Sequence, residues 1–317
     1  MSIIKDSIYG FVIGDALGVP VEFRSRNELD RNPVIQMLGY GTYSVPSGCW
    51  SDDTSMTLAT IDSIIEKDDI DYEDIMYKFC EWYTNSKYTA NGIFFDIGNS
   101  TLNALQNYIK GIPPLFCGGI DERSNGNGSL MRMLPIVLYA NFENLSETQS
   151  VKLINNISSL THRHEVSKLG CKIYFDFVSE IIKGATKYEA LKKLMLIDYS
   201  KYYSNSVINK YSRLLSNEFL NLSRDQINSS GYIVDTLEAT LWCVINSNDY
   251  KSSVLNAVNL GNDTDTIAAI TGSISGIIYG LDAIPKNWIE QIINRDYIER
   301  LACDFEKKLS CKNCKKL

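Results

Sequence analysis

Histidine is almost missing from this chain. His162 and His164 are the only two in 317 residues. A zinc site built from three histidines is therefore excluded. Acid–base chemistry falls to carboxylates unless one of this pair serves. Long basic runs are also absent and the net charge is −7, which argues against general nucleic-acid or anionic-membrane binding. The longest weakly polar run lies between Asp265 and Asp282. It is too short, and too rich in Ser, Thr and Gly, to span a bilayer. The N-terminus, MSIIKDSIYGFVIGDALG, carries Asp6 and Asp15 inside its apolar stretch, unlike a signal peptide. The eight cysteines are scattered without the spacing of a disulfide framework, so they read as reduced and the protein as cytoplasmic. Cys311 and Cys314 form a lone CxxC; zinc would need two more ligands, so this reads as a Lys-rich tail. Strand-like alternation is scarce, and neither a βαβ rhythm nor an internal repeat is visible. These absences leave an all-α fold.

What is present is an ordinary globular composition, 44% hydrophobic and 22% charged, with ample material for a core. We expect one domain over residues 1–300 and a tail over 301–317. Helical periodicity marks Ile3 to Leu17, Asp53 to Lys67, Tyr72 to Thr84, Asn99 to Tyr108, and then most of the chain from Leu130 onward. Residues 24–49 read as irregular, with Pro33, Pro46 and several glycines. Tyr199 to Gly231 is Asn/Ser-rich and reads as a peripheral insertion. Gly14 inside the first helix implies a close neighbour or ligand. Gly272, Gly276 and Gly280 recur every fourth residue, the spacing for close helix packing.

Two oxygen-rich clusters stand out. GCWSDDTSMTLATI places Ser51, Asp52, Asp53 and Thr54 before an apolar helical run, and LGNDTDTIAAI does the same with Asp263, Thr264, Asp265 and Thr266. N-capping explains one such side chain per helix. Each cluster offers about four, and hard oxygens of this kind suit Mg²⁺, Mn²⁺ or Ca²⁺ rather than zinc. Four aspartates brought together without cations would repel. Spacing alone leaves open whether the clusters meet.

The ordered set GFVIGDALGVPVEF, GCWSDDTSMTLA, FFDIGNSTLNAL, SNGNGSLMRMLPI, LTHRHEVS, GYIVDTLEATLWCV and LGNDTDTIAAITGSISG resembles the ADP-ribosylglycohydrolase family. The resemblance implies a compact orthogonal helical bundle with two divalent cations, Mg²⁺ or Mn²⁺, at the base of an ADP-ribose cleft. By position it implies metal ligation by Ser51, Asp52, Asp53, Asp263, Asp265 and Thr266. Many relatives carry Thr where this chain has Ser51, and the hydroxyl is kept. It implies acid–base roles for Asp96 first and Glu22 second. It places Ser124, Gly126, Asn127, Gly128, Ser129 and His162 beside the substrate, the Gly-rich stretch cradling the diphosphate. Read without the family, Asp96 is an N-cap, Glu22 a solvated loop acid and His162 a core or helix-end histidine.

The expected reaction is hydrolysis at the anomeric carbon of ADP-ribose attached to a protein side chain, through an oxocarbenium-like transition state. The FDIGN stretch resembles the arginine-directed branch, where the bond is N-glycosidic. The alternatives are another ADP-ribosyl linkage (serine, a small molecule or a nucleic-acid base) or a non-catalytic ADP-ribose-binding, crystallin-like relative. The implied partners are an ADP-ribosylated protein as substrate and free ADP-ribose as product, handled by a monomer.

Overall fold

The computed structural model describes residues 2–314, with side chains through residue 310. Fifteen α-helices carry the fold. They are α1 Ile3–Gly18, α2 Arg26–Arg31, α3 Asp52–Lys67, α4 Tyr72–Asn85, α5 Asn99–Ile109, α6 Leu134–Phe142, α7 Glu147–Ser159 and α8 Glu165–Ile182. Then come α9 Lys187–Leu194, α10 Asn205–Ile208, α11 Ile233–Ile245, α12 Tyr250–Val258, α13 Thr264–Tyr279, α14 Lys286–Gln291 and α15 Arg295–Cys314. Among the described residues there is no strand, only two isolated bridges, Gly119–His162 and Gly126–Tyr232. The expected all-α orthogonal bundle is therefore what forms.

Its axis is the pair α1 and α13. From Asp6 to Gly18 every residue of α1 is buried, the mark of a helix enclosed on all sides. The pair touches backbone to backbone. A Cβ on Gly14 would stand 2.6 Å from the Ala268 carbonyl carbon and closer still to its oxygen. One on Gly10 would stand 3.2 Å from Gly276 Cα and would overlap the Gly272 carbonyl. The close neighbour expected at Gly14 is thus α13, and Gly272 and Gly276 are its share of the seam. Gly280 is not part of it; with φ 80° it ends the helix. Around this pair, α11 and α12 pack on α13, while α3 and α15 pack on α1.

Four sequence expectations change. Residues 24–49 contain α2, started by a capping box in which Ser25 and Glu28 satisfy each other's backbone N–H. Leu130 to Met133 form turns, and α6 begins only at Leu134, with Pro135 in its first turn, where a missing N–H costs nothing. The Tyr199–Gly231 stretch is no peripheral insertion, because Tyr199, Tyr203, Tyr211, Leu214 and Phe219 are buried in the core. Tyr hydroxyls find partners there, as Tyr211 donates to the Val166 carbonyl at 2.7 Å. Residues 301–310 are no tail either. They continue α15 and bury Leu301, Ala302, Phe305 and Leu309. The Cys311/Cys314 pair lies outside the residues whose side chains are described.

Candidate functional site

The floor of the site starts on α1. Asp15 is fully buried and accepts from the backbone N–H of Ser51 (2.9 Å), the backbone N–H of Thr54 (3.0 Å) and the Thr54 hydroxyl (2.6 Å). It thereby caps α3 from another helix. The α3 N-cap itself is Ser51, whose hydroxyl accepts from the Asp53 N–H at 3.3 Å and donates to Asp53 Oδ2 at 3.0 Å. Thr266, in the first turn of α13, donates to the same Asp53 oxygen at 3.2 Å. The two acidic clusters therefore meet; the glycine seam holds α13 against α1, and Asp15 of α1 holds the start of α3.

Oxygens of Asp15, Asp53 and Asp265 lie within 4.8 Å of one another, and so do those of Glu22, Asp263 and Asp265. Asp53 Oδ1, Asp265 Oδ1 and Glu22 Oε2 are buried without any hydrogen-bond partner. Burial pushes the carboxyls of Asp52, Asp53 and Asp265 well above the usual range, and neighbouring carboxylates add to it. Asp263 is raised by burial too, against a 2.5 Å hydrogen bond from the Asn127 amide. Asp15 rises to about 6 through burial. Such a set of orphaned, mutually repelling hard oxygens fits a divalent cation, which would restore their charged forms.

Glu22, one of the floor group, and Asp96 both line a cleft over these acids. Burial, with the charges of Asp96 and Asp263, raises Glu22 to about 10. Burial and Asp263 raise Asp96 to about 6. Glu22 is only 6% exposed, so it is not a solvated loop acid. Asp96 is not a cap, since Gly98 holds the N-cap of α5. Its backbone sits at φ 60°, uncommon outside glycine. Tyr43 lies near both acids; burial, with their charges, raises its hydroxyl well above the usual range. Its ring packs on Phe95 at 4.8 Å.

The cleft holds about 530 Å³ and is lined by Glu22, Asp52, Asp96 and Asp263 together with Gly126, Asn127, Gly128 and His162, the acids and the glycine loop meeting where the Asn127 amide donates to Asp263. His162 is buried, bonded through Nδ1 to the Thr161 hydroxyl (2.8 Å), and burial holds its pKa at about 3. It is therefore neutral. A Cβ on Gly128 would press to 2.9 Å from its ring and 3.0 Å from the Thr101 hydroxyl, so the loop needs glycine there. Beneath the loop, Arg132 donates to the Gly128 carbonyl (3.2 Å) and the Thr161 hydroxyl (2.7 Å). Two expected residues stand apart. The Ser129 hydroxyl accepts from Ser158 (3.1 Å) and lies 3.4 Å from Cys171 Sγ, inside the core. Ser124 packs under Gly119 rather than lining the cleft.

Sequence reasoning missed Asp15, Tyr43 and Arg132. Only Asp15 left a signal, as an acid within an otherwise apolar helix stripe.

A helical bundle with a carboxylate-floored cleft and a glycine-rich wall defines the class as a cation-compatible hydrolase. The family model for ADP-ribosylglycohydrolase matches residues 2–313, and the chain belongs to that family. It is 35% identical over 300 residues to the ADP-ribosylarginine hydrolase Tri1 of Pseudomonas putida, covering 94% of this chain and 76% of that one. It is 28% identical over 291 residues to the ADP-ribosyl-[dinitrogen reductase] glycohydrolase of Rhodospirillum rubrum, covering 89% and 87%. A solved ADP-ribosylglycohydrolase-related protein complex superposes with a TM-score of 0.81 at 28% identity, covering 97% of this chain and 98% of that one. The chain is an ADP-ribosylglycohydrolase enzyme. Among the described residues, no helix is long and apolar enough to cross a membrane.

Proposed function

We propose that this enzyme removes ADP-ribose from arginine side chains of modified proteins, using two divalent cations, Mg²⁺ or Mn²⁺. The observation that carries the reading is the orphaned carboxylate floor of the cleft. Ser51, Asp52, Asp53, Asp263, Asp265 and Thr266 would hold the ions, with Asp265 common to both carboxylate triplets and Asp15 behind them. Bound there, a divalent cation supplies Lewis-acid polarisation and a lowered pKa for an attacking water. The chain's own residues do the rest. Gly126 and Gly128 line the cleft, and no backbone acceptor takes their N–H groups among the described residues, which leaves them for a diphosphate. Neutral His162 stiffens that wall. Asp96, held near 6, exchanges a proton close to neutral pH and serves as general acid or base, with Glu22 second.

Arginine as the linkage is supported by the names of the Tri1 relatives and by the FDIGN stretch. The six described cysteines outside the C-terminal pair are free, which supports a reducing, cytoplasmic setting. The test is release of ADP-ribose from a panel of arginine-, serine- and base-linked substrates, with and without EDTA. Arginine release is expected, falling at least ~100-fold on chelation or in Asp265→Asn. Full activity without metal would sink the cation assignment, and release from another linkage alone would sink the arginine one.

A further inference from the structure

Phe23 lines the cleft with 68% of its surface exposed. Its backbone has φ 65°, where a bulky side chain is a genuine outlier. That conformation is locked from a second loop. The Phe23 N–H donates to the Asn262 carbonyl at 2.7 Å, and the Asn262 N–H donates to the Arg24 carbonyl at 2.7 Å. Asn262 is itself at φ 61°. The loops press together: a Cβ on Gly261 would stand 2.6 Å from the Arg26 nitrogen. Two left-handed residues and a pair of backbone hydrogen bonds thus hold an aromatic ring out in solvent, where it contributes little to the core. Strain kept at a cleft points to a role there.

The lining of the cleft says which role. Phe23 is the exposed aromatic among residues that also include Glu22, Asp96 and the Gly126–Gly128 loop, so it is the ring that a side chain leaving over the acids would meet. We propose that the Phe23 ring is a specificity-determining platform for the leaving alkylguanidinium. This rests on the arginine reading above. A guanidinium is flat, permanently charged and weakly hydrated, so it stacks on an aromatic face. Glu22 and Asp96 line the same cleft and offer oxygens that accept from guanidinium N–H groups. A serine side chain has neither plane nor charge to offer.

The experiment compares the wild-type enzyme with Phe23→Ala, Phe23→Leu and Phe23→Tyr on ADP-ribosylated free arginine, with Mg²⁺ present. KM is expected to rise ~5-fold in the Ala and Leu variants and to return in Phe23→Tyr, with kcat changing less than about two-fold. Inhibition by free ADP-ribose, which lacks the leaving group, is expected to stay unchanged in all three. Leu keeps the bulk and removes the ring face, so it separates stacking from packing. An unchanged KM in Phe23→Ala, or a matching loss of ADP-ribose affinity, would overturn the proposal while leaving the arginine reading intact. Failure of the wild type to release arginine would overturn both.

Discussion

The spacing of the acids is set by how closely α1 and α13 approach, and Gly14→Ala tests this. The new Cβ would stand 2.6 Å from the Ala268 carbonyl carbon and 2.9 Å from the Ala269 nitrogen. Ordinary contact needs about 3.5–4 Å, so the helices must part by about 1 Å. The obstacle is backbone, which has no rotamer to escape into. Overpacking of this kind costs about 2–4 kcal/mol, or a fall in Tm of about 3–6 °C for a domain of this size. A second effect follows from sequence position. Gly14 adjoins Asp15, and Ala268 lies one turn after Asp265. Parting the helices therefore splits the Asp15–Asp53–Asp265 group, whose oxygens now lie within 4.8 Å. Added Mg²⁺ should raise the melting temperature of the wild type by linkage and raise that of Gly14→Ala much less. Gly98→Ala is the control, because its Cβ would meet nothing within 4 Å. Calorimetry with EDTA and with Mg²⁺, together with ADP-ribose release, reads all three proteins. A Gly14→Ala enzyme melting within about 1 °C of wild type, with its full Mg²⁺ response, would refute the link between seam and site.

Two further outcomes are expected. Asp15 and Asp96 are held near 6 and Glu22 near 10, all above their unfolded values of 3.8 and 4.5. The metal-free fold thus binds more protons than the unfolded chain, and the stability they contribute, complete below about pH 4, is lost as pH rises through 6. EDTA-treated protein should melt higher at pH 5 than at pH 7, and saturating Mg²⁺ should flatten the trend. His162, lowered from 6.5 to about 3, works in the opposite sense below pH 6.5, as one group against several. A metal-free Tm that climbs from pH 5 to 7 would refute this sign. Separately, Phe305→Ala should cost about 3–5 kcal/mol in denaturant unfolding, because Phe305 is fully buried in α15; a loss under about 1 kcal/mol would restore the reading of residues beyond 300 as a tail.

The helices and the two oxygen-rich clusters were legible because both are local patterns. The apolar period marked α1 and α3 to within a residue or two, and the oxygen-rich clusters marked where α3 and α13 begin. What was not legible depends on partners far away in the chain. Asp15 looks like a flaw in an apolar stripe until Ser51 and Thr54 supply its hydrogen bonds. The loop from Ser124 to Ser129 was found as a segment, yet packing against Ser158 and Cys171 turns Ser129 away from the cleft. At α15, the Lys- and Cys-bearing end hid the stripe Ile298, Leu301, Ala302, Phe305 and Leu309. The same tertiary facts explain why the acids need an outside partner. Among the described residues, none of the dominant influences on Asp52, Asp53, Asp265 or Glu22 is a Lys or Arg. The buried guanidinium that lies near the cleft, Arg132, donates to the Gly128 and Ile157 carbonyls and the Thr161 hydroxyl beneath the glycine loop, with Nη1 left unpartnered, and makes no hydrogen bond to the acids. The protein thus gathers carboxylates without gathering their counter-charges, an arrangement whose repulsion a divalent cation would relieve.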